Sequence, residues 1–138
     1  MAGYSGTPLA KKLGLKPEMP AAVLNAPWDY AAVLGLEASP MVVAPDQSIP
    51  DGADFLHLFT ASRSELERRL AEARTAMAAD GMLWVSWPKK SSKLPSEITE
   101  DTIREVCLPM GLVDVKVCAV DDIWSGLKLV IRKELRGR

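Results

Sequence analysis

The 138-residue chain has little of what most metal and acid–base centres are built from: one histidine, His57, and two cysteines, Cys107 and Cys118. Neither cysteine has a second cysteine or a histidine close by in sequence, which excludes a structural zinc with ordinary ligand spacing and a disulfide-stapled scaffold. Reduced thiols and a cytoplasmic setting are the expectation. Long apolar runs are missing too: nothing approaches the ~20 residues that cross a bilayer, and the opening residues do not read as a secretory signal. An excess of charge of one sign is also absent. Lys plus Arg number 17 and Asp plus Glu 18, a net charge of −1. That balance supplies no field to gather nucleic acid or an anionic membrane. What the chain does have is apolar mass, 48% of its residues, at a length typical of one domain. One folded domain over residues 1–138 is expected.

Local signals divide the chain into short alternating elements. Thr7 and Pro8 suit the start of a brief helix that Gly14 stops. Ala21–Asn25 reads as a buried strand cut off by Pro27, Trp28–Leu34 as a helix closed by Gly35, and Met41–Ala44 as a strand ended by Pro45. Loop chemistry fills 45–52, and a third strand spans Asp54–Thr60. Ser62 and Glu65 have capping-box spacing, and Leu66, Leu70, Ala73 and Met77 then make one apolar stripe, with Gly81 as left-handed terminator. Met82–Trp87 is apolar on both faces, as in a parallel-sheet strand with a helix on each side. A helix capped by Thr99 carries Ile103, Val106, Cys107 and Met110, is shortened by Pro109 and ends at Gly111. Val113–Ala119 alternates with period two, and Leu127–Leu135 returns as its hairpin partner through 121–126, with Gly126 in the turn. The sum is a three-layer α/β domain, a mainly parallel sheet with a C-terminal antiparallel hairpin strand.

The order helix, Ala79-Asp80-Gly81, apolar strand, helix, Gly111, strand, hairpin strand resembles the C-terminal half of the Rossmann-like S-adenosylmethionine methyltransferases. Three phrases resemble the recurring blocks of a bacterial family known only as a domain of unknown function, the "thirty fifty-two" family. They are Gly3-Tyr4-Ser5-Gly6-Thr7-Pro8-Leu9, Leu83-Trp84-Val85-Ser86-Trp87-Pro88-Lys89-Lys90 and Trp124-Ser125-Gly126-Leu127-Lys128-Leu129-Val130-Ile131. The resemblance implies a Rossmann-like fold and no assigned activity. It also implies truncation, because the link from Ala44 to Asp54 is too short for the helix and strand that a complete methyltransferase has there.

A doubly wound sheet binds ligands beyond the carboxyl ends of its strands, and a nucleotide cofactor needs glycines after the first of them. Here that strand is followed by Asn25-Ala26-Pro27-Trp28, without a glycine and with one N–H donor removed by proline. Asp46 stands near the place of a ribose-binding acid, but between Pro45 and a loop it is ordinary turn chemistry. No cofactor and no metal are therefore expected.

The candidate ligand-binding residues are those the topology carries to one rim: Asn25, Thr60, Trp87, Lys89, Lys90, Asp122 and Trp124. Lys89, Lys90 and Lys93 around Ser91 and Ser92 form the densest basic segment, suited to an anion beyond a rigid strand and equally to a solvated loop. His57 lies mid-strand opposite Leu56 and Leu58, where a packed histidine is the commoner case. Trp28, Trp87 and Trp124 fall at or beyond strand ends and can line one pocket or a partner surface. The function expected is a non-enzymatic binding or interaction module for a small anionic ligand or a protein partner. Its rival is a small methyltransferase-like or anion-substrate transferase using Asn25, Thr60, Lys89 and Asp122. A third reading is a homodimer through the final strand, whose Leu127, Leu129 and Ile131 would be covered as an edge.

Overall fold

The computed structural model describes residues 8–136, so the turn at residues 3–6 and the Thr7 cap lie outside the described residues. In chain order the elements are α1 (Leu9–Leu13), β1 (Ala21–Leu24), α2 (Tyr30–Leu34), β2 (Met41–Val43) and β3 (Phe55–Phe59). They continue as α3 (Arg63–Ala76), β4 (Met82–Pro88), α4 (Glu100–Cys107), β5 (Leu112–Ala119) and β6 (Trp124–Ile131). One six-stranded sheet has the order β2-β1-β3-β4-β6-β5. The first four strands are parallel, and β6 runs antiparallel to both β4 and β5. This is the three-layer α/β architecture expected, with the short link 44–54 holding neither helix nor strand.

The apolar strands are apolar because both of their faces are covered. Every residue of β3 is buried. Leu56 and Leu58 join Leu83, Val85, Leu127 and Leu129 beneath α3 and α4, while Phe55 and Phe59 join Trp84 and Val23 beneath α1 and α2. Each fully buried leucine stabilises the fold by ~1.5–3 kcal/mol. Helix α3 starts where Ser62 accepts the Glu65 N–H at 3.3 Å, a cap worth about 1 kcal/mol. Its predicted stripe of Leu66, Leu70, Ala73 and Met77 is buried throughout. Thr99 and Thr102 form a reciprocal capping box at the start of α4, and Gly111 takes the left-handed conformation (φ 86°) that turns the chain into β5.

Three local expectations give way. Helix α3 ends at Ala76 with Met77 extended, and Gly81 is not left-handed. Gly81 is small because a Cβ there would stand 3.0 Å from the Ala53 carbonyl oxygen and 3.1 Å from that of Ala78. Gly126 is not the hairpin turn. It lies within β6 opposite Ser86, where a Cβ would come within 3.2 Å of the Trp84 ring. Finally, β6 is interior, since it inserts between β4 and β5. Leu127, Leu129 and Ile131 are therefore buried core, and the final strand offers no edge through which to dimerise. The sheet edges are β2, with Met41 and Val42 exposed, and β5, with Val115 and Val117 exposed and a bulge between Asp114 and Lys116.

Arg69 accounts for the shape of the short link. The residue is 2% exposed, and its guanidinium donates to the carbonyls of Ala44 (2.9 Å), Pro45 (3.2 Å) and Gln47 (2.9 Å) and to Glu72 (2.8 Å). Glu72 in turn accepts the Ile49 N–H at 2.8 Å. Partial burial works against the Glu72 charge, yet that N–H and Arg69 hold its carboxyl below the usual range.

Candidate functional site

The carboxyl ends of β1, β3 and β4 meet the start of β6 and the end of β5 along one rim. The structure divides the seven candidate residues there into three groups.

Asn25 and Thr60 belong to the first, through a residue that the sequence pattern assigned elsewhere. Asn25 directly follows β1 in the left-handed region (φ 61°), a conformation asparagine tolerates better than most residues. Its Nδ2 donates to the Phe59 carbonyl at 3.1 Å and to Glu65 Oε2 at 2.9 Å. The buried Thr60 hydroxyl donates to Glu65 Oε1 at 2.6 Å and accepts the Ser62 N–H at 3.1 Å. Glu65 therefore does not close a capping box on Ser62. Its carboxylate ties the ends of β1 and β3 together, and both polar groups nearest the first strand are already engaged.

Trp124 belongs to the second group, on the α1/α2 face. Phe59 stands edge-on to both Trp124 (5.3 Å) and Trp28 (5.4 Å), and Trp28 stacks on Tyr30 at 5.9 Å. Trp28 donates its indole N–H to Asp121 Oδ2 at 3.1 Å. Asp121 Oδ1 accepts the backbone N–H groups of Ile123 (2.9 Å) and Trp124 (2.7 Å). The ordered carboxylate of this connection is thus Asp121, while Asp122 is exposed.

Trp87, Lys89 and Lys90 make the third group, on the α3/α4 face. They border a shallow, open cavity of about 470 Å³ with Ser125, Thr99 and the acidic first turn of α4. Lys89 is fixed by its N–H to the Ile123 carbonyl at 2.7 Å, and Lys90 opens a short 3-10 turn. Across the cavity Arg104 is paired with Glu100 and Asp101 (2.9 and 3.1 Å) and with Asp114 (3.1 Å), whose hydrogen bond lifts the guanidinium above its ordinary pKa. The cavity thus carries both signs of charge, with the lysines on one side. Trp87 faces the opposite layer from Trp28 and Trp124, so the three tryptophans do not line one pocket.

His57 stands below the rim, fully buried, between the Tyr30 hydroxyl (Nδ1, 2.7 Å) and the Ser86 hydroxyl (Nε2, 2.8 Å), with its ring stacked on Phe59 at 4.2 Å. Burial pushes its pKa down to about 3 and raises that of Tyr30. It is a neutral packing residue, out of reach of anything bound outside. Burial likewise pushes the Cys107 thiol up to about 11, so it is no nucleophile at neutral pH. Among the described residues, no three histidine, cysteine, aspartate or glutamate side chains are grouped to hold a metal, and no helix is long and apolar enough to cross a membrane.

A three-layer sheet with a reversed strand inserted near its end defines a class: the Rossmann-like domains shaped like S-adenosylmethionine-dependent methyltransferases. Solved structures of that class superpose on the chain. One from Aquifex aeolicus, a SAM-dependent methyltransferase, is 17% identical with a TM-score of 0.64, covering 89% of this chain and 88% of its own. A putative type 11 methyltransferase from Sulfolobus solfataricus is 11% identical with a TM-score of 0.61, covering 94% and 93%. The mitomycin 7-O-methyltransferase MmcR is 18% identical with a TM-score of 0.59; the match takes 89% of this chain but 45% of MmcR, so the chain spans under half that enzyme's length. At these identities the likeness concerns fold. No curated protein matches the chain. Residues 42–133 match the family described as "Protein of unknown function (DUF3052)", and the chain belongs to that family.

Proposed function

We propose that this domain is a non-enzymatic binding module on a methyltransferase-like scaffold. The observation that carries the proposal is that the residues following β1, where such scaffolds place a glycine loop, bear side chains whose polar groups are engaged within the chain itself. Beyond β1 stand Asn25, Ala26, Pro27 and Trp28 where a glycine loop would let backbone approach a ligand. The polar groups of Asn25 and Thr60 are taken by Glu65, and the Trp28 indole lies over Phe59. These residues do not fit an adenosyl cofactor. The cavity on the other layer instead presents Lys89 and Lys90 across from the acidic first turn of α4, and its lysine side suits a small anion or an acidic segment of a partner protein. The rival enzyme reading is supported by the fold alone, and the four residues it needs are divided among the engaged Asn25 and Thr60, Lys89 on the other layer and the exposed Asp122.

S-adenosylmethionine and NAD at sub-millimolar concentration are expected to leave the Tm unchanged in a thermal scan. A rise of several degrees with either would overturn the proposal.

A further inference from the structure

The aromatic cluster on the α1/α2 side of the rim is built as a socket and a plug. Trp28 rides on the link after β1 and reaches past the ends of β3 and β4 to the β5–β6 connection, about 14 Å at ordinary strand spacing. The plug is half-buried and is fastened at its tip by the single hydrogen bond to Asp121. The socket residues have anchors of their own. Phe59 belongs to β3 and stacks on His57 at 4.2 Å, and the Tyr30 hydroxyl is hydrogen-bonded to His57 at 2.7 Å. Asp121 and Trp124 are held by their own turn, through the Ile123 and Trp124 N–H groups on Oδ1 and the Val120 N–H on the Trp124 carbonyl.

We propose that the Trp28 indole is the internal occupant of a ring-binding slot, and that it swings out to admit a flat heteroaromatic molecule with an N–H donor on its edge. Tyr30, Phe59 and Trp124 supply the aromatic walls. Asp121 Oδ2 supplies the acceptor, and a ring lacking the N–H leaves that half-buried carboxylate oxygen unpaired. The ligand class is a free ring rather than an adenosyl cofactor, because the chain beside Pro27 has no glycine against which a cofactor tail would lie. This inference rests on the binding-module reading and adds a second ligand class, on the α1/α2 side of the rim and apart from the lysines beside Trp87.

The test is calorimetric titration of 2-aminobenzimidazole into the wild-type chain, Trp28→Ala and Trp28→Ala/Asp121→Asn. Trp28→Leu serves if the alanine variant fails to fold. Removing the plug is expected to tighten binding about tenfold or more, and Asp121→Asn is expected to abolish that gain, as for loss of a charge-assisted hydrogen bond. In the wild-type chain the Trp28 indole N–H resonance, assigned by its loss in Trp28→Phe, should shift on saturation with the same probe. Equal affinity in wild type and folded variant, a gain indifferent to Asp121, or an unmoved Trp28 resonance would each overturn the slot. Those results, with S-adenosylmethionine and NAD still silent, remove the slot alone, whereas a Tm rise with either cofactor removes the binding-module reading as well.

Discussion

At the scale of single residues, His57 shows how burial converts a titratable group into a stability term. The unfolded chain takes up a proton near the ordinary histidine pKa of 6.5, and the folded chain does not until about pH 3. The unfolded state therefore binds more protons throughout that window, and stability falls as the pH drops through it, by up to about 1.4 kcal/mol per unit. Urea midpoints measured from about pH 7 to about pH 4 should decline accordingly, and the decline should be shallower in His57→Gln. A midpoint independent of pH in the wild-type chain would contradict the assignment. The packed role of His57 was legible from its place between Leu56 and Leu58. Its partners were not, because Tyr30 and Ser86 reach it from other elements, 27 and 29 positions away. The same limit applies to Glu65. Spacing from Ser62 names it a capping residue, and only the fold brings Asn25 and Thr60 close enough to claim its carboxylate.

At the scale of elements, prolines, caps and left-handed glycines carried most of the information. The strands before Pro27 and Pro45, the helix starts at Ser62 and Thr99, and the stops at Gly14, Gly35 and Gly111 all stand in the structure. Trp84 and Trp87 lie three positions apart on β4 and so point to opposite layers, which places Trp87 away from Trp28 and Trp124. Arg69 was invisible by the same logic: in a helix dense with charge it looks like surface, and its burial follows from a link too short to satisfy its own carbonyls. Arg69→Ala should cost roughly 2–4 kcal/mol in equilibrium unfolding and expose residues 44–53 to limited proteolysis. Arg69→Lys should recover only part of that loss, since an ammonium lacks the planar fork that serves several carbonyls. Unchanged stability in the alanine variant would show that the link is held by other contacts.

At the scale of the molecule, alternating strand and helix patterns give the layers but not the order of strands. Nothing in the Leu127–Ile131 pattern distinguishes an edge from an interior position with both neighbours antiparallel, and the dimer reading depended on that difference. The realised order puts β3 and β4 deepest. Amide exchange should therefore be slowest in Phe55–Phe59 and Leu83–Val85 and fastest among the strands in Met41–Val43, with segment-resolved deuterium uptake as the check. Uniform protection across all six strands would refute that gradient.

The two rims of this sheet also determine how it behaves when crowded. On one side an eight-residue strand is interrupted where Val115 bulges out between Asp114 and Lys116; on the other, a strand of only three residues sits between Pro40 and Pro45. Neither presents a long flat template for an incoming chain, so concentrating the folded protein should not seed fibres, however apolar its interior strands are.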